Sequence, residues 1–193
     1  MCLILLAYHT HPLYPLVLAA NRDEFYDRPS APAAFWEDRP DVLAGRDLKE
    51  GGTWLGITKR GRLAALTNYR DPLSVRPDAP SRGWLVRNFL CGKESAARYS
   101  KSLSARAARY NGFSLILGDV FDLHFFSNRG GSSPLAPGLY GLSNRLLDTD
   151  WPKVRRGKAR LAALLSRAER PDPEELFSLL ADRDRPEDGE LPD

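Results

Sequence analysis

Apolar runs and polar breaks divide this chain into a series of short blocks. Residues 2–8 (CLILLAY) and 14–20 (YPLVLAA) are apolar runs joined by His9-Thr10-His11-Pro12, a pattern that predicts a pair of strands. Neither run carries a charge, so both faces of both strands are expected to be covered. The second run ends in Asn21-Arg22-Asp23-Glu24-Phe25, where a buried strand would emerge. Residues 27–46 are rich in Pro, Asp and Arg and read as an ordered loop. Thr53–Thr58 and Arg62–Asn68, around Lys59-Arg60-Gly61, predict a second hairpin.

Within 82–92, Trp84, Leu85, Phe89 and Leu90 fall near helical spacing, and 94–108 continues as a helix rich in Ala, Ser and Arg. Cys91 falls on the apolar part of the first helix and reads as core. Residues 113–119 and 120–128 predict two strands around a Gly-Asp turn. GGSSPLAPG follows as a loop, and Leu139–Ser143 is a short strand ending at Asn144. Residues 151–168 form an amphipathic basic helix, and 173–182 a second helix opened by Asp172 and Pro173. The closing DRDRPEDGELPD is polar and is expected to be poorly ordered.

Hairpins separated by helical blocks predict an α+β layered domain with antiparallel sheets rather than a doubly wound parallel sheet. The 193 residues fit one domain, over 1–182, with a polar tail at 183–193. The Gly-Gly pairs at 51–52 and 130–131 match neither dinucleotide nor P-loop spacing. A formal charge of +3 gives no electrostatic case for nucleic acid. No apolar stretch reaches the 18 or so residues of a membrane span. The opening run lacks the basic start and cleavage site of a secretory signal. Two cysteines without a CxxC give no disulfide framework or zinc site, so a reducing cytoplasm is the expected location.

The candidate chemistry begins at Cys2. Removal of Met1, expected before so small a residue, would leave a thiol and a free α-amine on one residue. The α-amine has an ordinary pKa of about 7.7–8.0, so a useful fraction is neutral and able to take the thiol proton. An N-terminal nucleophile served by its own amine is an established route to covalent catalysis. In an antiparallel hairpin the end of the second strand lies beside the start of the first, which places Arg22 and Asp23 near Cys2. A guanidinium there favours thiolate, and a carboxylate orients the amine. Asn68 and Asn144, each at a strand end, carry amide donors suited to an oxyanion. The competing reading is local: a salt-bridge cluster at 22–24 and turn-capping asparagines. The residues alone leave both open.

Several blocks together resemble the NRDE family, which includes the transport and Golgi organisation protein 2 group. They are MCLILLAY, AANRDEFYDRP (19–29), GGTWLGIT (51–58), LAALTNYRDP, SRGWLV (81–86), FSLILGD (113–119) and YGLSNRLLDTDWPKV (140–154). The resemblance implies an N-terminal nucleophile hydrolase-like fold, an αββα four-layer sandwich of two antiparallel sheets. It implies Cys2 as nucleophile and base, Arg22 tuning the thiol, Asp23 holding the amine, and Asn68 and Asn144 building the oxyanion hole. Asn21, Glu24, Trp54 and Arg70, which lie in the matched blocks, are expected to contact the ligand.

The acylase branch of that superfamily spaces its arginine and aspartate by three residues, whereas Arg22 and Asp23 are adjacent. This leaves the aspartate's role open between Asp23 and Glu24. Members of the family continue past residue 193, so the last strands are expected either to be absent, leaving exposed edges that favour a homo-oligomer, or to be supplied by another chain. The activity implied is cysteine-dependent hydrolysis of an amide on a small acylated substrate, with no cofactor required. The alternative implied is a non-enzymatic protein that binds or carries haem, or an acyl-CoA or lipid. Cys2, His9, His11 and His124 would be the iron ligands to consider, although His9 and His11 sit in a turn and the histidines read as structural or surface residues. Arg22, Arg28, Arg46, Arg70 and Arg82 form a weaker candidate lining for an anionic group.

Overall fold

In a computed structural model that describes residues 2–167 and 169–181, ten strands and four helices follow the predicted alternation closely. The first block contains β1 (Leu3–Tyr8) and β2 (Leu16–Asn21), then β3 (Ser30–Trp36), β4 (Arg39–Asp47), β5 (Leu55–Thr58) and β6 (Leu63–Asn68). Helices α1 (Gly83–Cys91) and α2 (Ala96–Ser104) come next. They are followed by β7 (Phe113–Gly118), β8 (Leu123–Ser127), β9 (Gly131–Pro134) and β10 (Gly138–Leu142), and then by α3 (Pro152–Arg167) and α4 (Pro173–Leu180). All pairings are antiparallel, in a three-stranded sheet ordered β10-β1-β2 and a seven-stranded sheet ordered β3 through β9. The tail expected at 183–193 lies outside the described residues.

The chain forms two compact units, one of the residues up to Asp23 together with those from Ala136, the other of Glu24–Leu135. In the first, β1 is buried along its whole length, as its uncharged sequence requires, whereas β2 alternates between buried and partly exposed positions. Leu3, Leu5, Ala7 and Val17 pack with Trp151, Val154, Leu161 and Leu164 of the α3 segment and Leu179 of α4. Two glycines allow this helix to lie close on the sheet. A Cβ on Gly157 would stand 2.8 Å from Leu5 Cδ2, and one on Gly141 of β10 would stand 2.6 Å from Val154 Cγ1.

In the second unit α1 and α2 cover one face of the seven-stranded sheet. Val42, Ala44, Ala64, Leu66, Leu115, Leu117 and Phe126 meet Leu85, Val86, Phe89, Leu90, Tyr99 and Leu103. Cys91 packs partly buried against this core. Arg62 closes the C-terminal end of α1: its Nη2 donates to the carbonyls of Phe89 (2.8 Å) and Glu94 (2.9 Å), and its guanidinium lies 4.0 Å over the Phe89 ring. The Phe89 carbonyl also accepts from the Gly92 N–H at 3.2 Å, and a side-chain donor adds to that bond at a helix end where carbonyls outnumber main-chain donors.

Four local expectations are corrected. Residues 27–46 are not an ordered loop, since β3 and most of β4 lie there. β3 is an edge strand with a proline, irregular register and mostly exposed side chains, so it shows no alternation to read. GGSSPLAPG contains β9, a second edge strand with every residue exposed. Trp84 does not join the buried stripe of α1: it is 43% exposed and donates Nε1–H to the Glu50 carbonyl, and Val86 takes the buried position. The turn between β7 and β8 is also longer than expected, with Asp119 Oδ1 accepting from the N–H groups of Phe121 and Asp122.

Candidate functional site at the start of the first strand

Cys2 directly precedes β1 and is buried, with 6% of its surface exposed. Because Leu3 pairs with Asn21, the residues after β2 fold back beside Cys2. Its Sγ accepts the Asp23 main-chain N–H at 3.4 Å and lies 3.9 Å from the Asp23 carbonyl. Asp23 therefore meets the thiol through its backbone. Burial pushes the Cys2 thiol above its ordinary value, while the positive charges of Lys153 and Arg22 pull it the other way.

The peptide group joining Cys2 to Leu3 is held at both ends. Its N–H donates to Asn21 Oδ1 at 2.8 Å. Its carbonyl accepts from Ser143 Oγ at 2.8 Å and from Lys153 Nζ at 3.1 Å. Asn21 is fixed in turn, its Nδ2 donating to the Leu180 carbonyl at the end of α4 at 3.4 Å. Ser143 Oγ also lies 3.4 Å from Asn144 Oδ1, which sets the oxyanion candidate one residue past the clamp. Lys153 stands in the first turn of α3, beside the Trp151 ring. Burial lowers its ammonium to about 8, and the neighbouring Cys2 acts against that shift.

Within this unit the structure brings together Cys2, Asn21, Arg22, Asp23 and Asn144, and adds Ser143 and Lys153, which the sequence reading missed. A signal for Lys153 was present. A lysine directly after a helix-opening proline opposes the helix dipole, which favours acidic residues in the first turn. Ser143 carried no comparable mark.

The remaining candidates belong to the other unit. Glu24 Oε1 accepts from the Phe25 N–H, and its other oxygen lies 3.9 Å from Arg28 Nε. Asn68 is the exposed last residue of β6, opposite Phe113, and Arg70 is exposed just after it. Trp54 is partly buried, and its carbonyl accepts from Leu66 N–H at 2.8 Å.

Several of the arginines read as a weaker anion lining are tied down within the fold. Arg28 Nη2 grips Asp47 at 2.6 Å, Arg46 pairs with Asp38 at 2.8 Å, and Arg82 donates to the Gly112 carbonyl at 2.8 Å. His11 Nδ1 accepts from the N–H groups of Leu13 and Tyr14, and His124 Nε2 bonds Asp122 at 2.9 Å. Among the described residues no group of three His, Cys, Asp or Glu is placed to hold a metal ion, and no helix is long and apolar enough to cross a membrane.

Comparison with known proteins places this geometry. The Transport and Golgi organisation 2 homolog of Mus musculus is 42% identical over 207 residues, covering 100% of this chain and 75% of that protein. Among solved structures, the Caenorhabditis elegans N-acylethanolamine-hydrolyzing acid amidase ortholog superposes with a TM-score of 0.61 at 11% identity, over 94% of this chain and 86% of its own. The penicillin V acylase from Agrobacterium tumefaciens gives a TM-score of 0.56 at 12% identity, over 99% and 75%. At such identities these two likenesses establish a shared fold, the α+β fold of the N-terminal nucleophile hydrolases. Residues 1–193 match the Transport and Golgi organisation 2 family over the whole chain, and the chain belongs to that family.

Proposed function

We propose that the chain is a cysteine-dependent amide hydrolase that acts on a small acylated substrate through a thioester on Cys2. The observation that carries this reading is a buried cysteine at the start of the first strand, with its sulfur on the Asp23 main chain at 3.4 Å and its peptide group clamped. Its fold is shared with an acid amidase and a penicillin acylase, both named for cleaving amide bonds.

In this reading Met1 is removed and the α-amine of Cys2 takes the thiol proton. The sulfur then adds to the substrate carbonyl, and the Asn144 side-chain amide stabilises the oxyanion. The C–N bond breaks and the amine leaves with the proton held by the α-ammonium. Water, deprotonated by the same amine, then attacks the thioester, releasing the acid and restoring the thiol. Arg22 favours the thiolate, and Asp23 orients the amine.

The test is acyl trapping with a β-lactone probe, read by intact mass on the full chain and on Cys2→Ala. The expected result is one adduct in the parent and none in the variant. A parent with correct N-terminal processing and no Cys2-dependent adduct removes the hydrolase reading.

A further inference from the structure

Strand ends ordinarily fray or pair with a neighbour, but the first peptide of β1 does neither. Its N–H is taken by a side chain at the end of β2. Its carbonyl is taken by one side chain directly after β10 and another from the first turn of α3. Two donors on one carbonyl use both of its lone pairs. Such fixing at residue 2 sets the backbone from which the thiol projects.

Helix α3 is shaped to deliver its donor. Lys153, Gly157 and Leu161 recur at four-residue spacing on one face, and Gly157 permits the close approach to Leu5 of β1.

We infer that Ser143 and Lys153 are positioning residues of the Cys2 site: together they hold the Cys2 carbonyl and so aim the thiol, and Lys153 brings a second, half-buried amine to the nucleophile. This rests on the reading of Cys2 as nucleophile. An amine lowered to about 8 loses its proton near the range of the α-amine itself. Below that pH the ammonium grips the carbonyl and favours thiolate. Above it the neutral amine still has N–H groups for the carbonyl and gains a lone pair beside the thiol.

Cys2, just before β1, acts on Lys153 directly, and Arg22 after β2 acts on Cys2. On α3 and the segment before it, Lys158 pairs with Asp148 and Arg155 with Asp150. On α4, Glu175 pairs with Arg167, and β10 contributes Tyr140, whose hydroxyl donates to the Ala136 carbonyl.

The experiment is the rate of Cys2 alkylation by iodoacetamide as a function of pH, in the full chain on a Cys91→Ser background, read by peptide mass. In the parent the profile is expected to show an inflection near pH 8. Lys153→Gln keeps a donor without a titrating amine, and Lys153→Arg keeps a permanent charge; both are expected to lose the Lys153 inflection. Ser143→Ala is expected to keep the inflection and to slow alkylation on the order of tenfold through loss of aim. An inflection that persists unchanged in both Lys153 variants belongs to the thiol itself or to the α-amine and overturns the role of Lys153.

Should either variant fail to fold, NMR titration of the lysine side chains in the parent decides the point, because one lysine titrating near 8 is expected and none below about 10 overturns it. Acyl trapping reports separately. A parent that forms no acyl adduct yet loses its inflection on Lys153→Gln loses the hydrolase reading and keeps the clamp, and the reverse result removes the clamp alone.

Discussion

In the Glu24–Leu135 unit, Asn128, Arg62 and Asn111 end on main-chain groups at helix ends and loops, whereas in the other unit three polar side chains converge on a single peptide beside a cysteine. Asn128 shows the first pattern. Its Oδ1 accepts from Phe113 N–H at 2.9 Å, and its Nδ2 faces the carbonyls of Ala107, Tyr110 and Asn111 at 3.2–3.3 Å, tying the segment after α2 to the start of β7. Arg62 does the same for α1, and Asn111 for the chain at Arg76. Asn21, Ser143 and Lys153 form the second pattern. Removing a group of the first kind is expected to cost stability and leave chemistry alone. Removing one of the second kind alters the thiol more than the fold.

The largest break in that comparison is Phe89→Ala. The ring is 1% exposed, meets Tyr99 edge-on and lies beneath Arg62, so its loss leaves a cavity and an unsupported guanidinium. A loss of about 3–5 kcal/mol in urea unfolding is expected. The pH inflection of Cys2 alkylation in the folded fraction is expected to stay where it was. A moved inflection would show that the two patterns are not separate.

Asn128→Asp follows. It keeps the acceptor for Phe113 N–H and replaces the donor with an oxygen facing three carbonyls. The expected cost is about 2–3 kcal/mol in the same assay, again with Cys2 alkylation unchanged. A cost below about 0.5 kcal/mol would show that the segment after α2 is held by its apolar contacts instead.

These two positions also mark where the sequence was legible. Uncharged β1 and the helical spacing of Leu85, Phe89 and Leu90 announced buried elements because burial leaves a periodic trace in residue type. Edge strands β3 and β9 leave no such trace: one face has nothing to bury against, and exposed Ser, Pro and Ala fit a loop equally well. At the candidate site, antiparallel pairing alone carried Arg22 and Asp23 to Cys2, because register is a local consequence of a short hairpin. Ser143 and Lys153 lie 141 and 151 residues from Cys2 in sequence, and only the packing of β10 and α3 on β1 brings them there. That Asp23 meets the sulfur through its main chain was equally hidden, since a sequence displays side chains only.

Gly157→Ala tests whether the closeness of α3 is what links packing to the thiol. Alanine gains helix propensity of about 0.5–1 kcal/mol, but its Cβ would stand 2.8 Å from the Cδ2 of Leu5, which is fully buried and has little room to retreat. A small net loss of about 1 kcal/mol is expected. The helix is also expected to ride outward and weaken the Lys153 contact, shifting the alkylation inflection upward as the amine becomes better solvated. Unchanged stability with an unchanged inflection would mean that the sheet yields instead.

The last effect expected is a pH dependence of stability carried by Lys153. Its ammonium is lowered from 10.5 to about 8 by burial, so between those values the unfolded chain binds the proton that the folded chain has released. The slope of unfolding free energy with pH follows the extra protons bound by the unfolded state. This residue therefore adds stability as pH rises from about 8 to about 10.5, and imposes its full burial cost below about 8. Lys153→Met removes the charge and keeps the length. Relative to the parent, the variant is expected to be at its best below pH 8, offset in part by the lost bond to the Cys2 carbonyl, and to lose ground steadily above it. Parallel urea-unfolding series at several pH values read the difference directly. A constant difference across the range would place the amine in water, and with it would go the link between this helix and the cysteine.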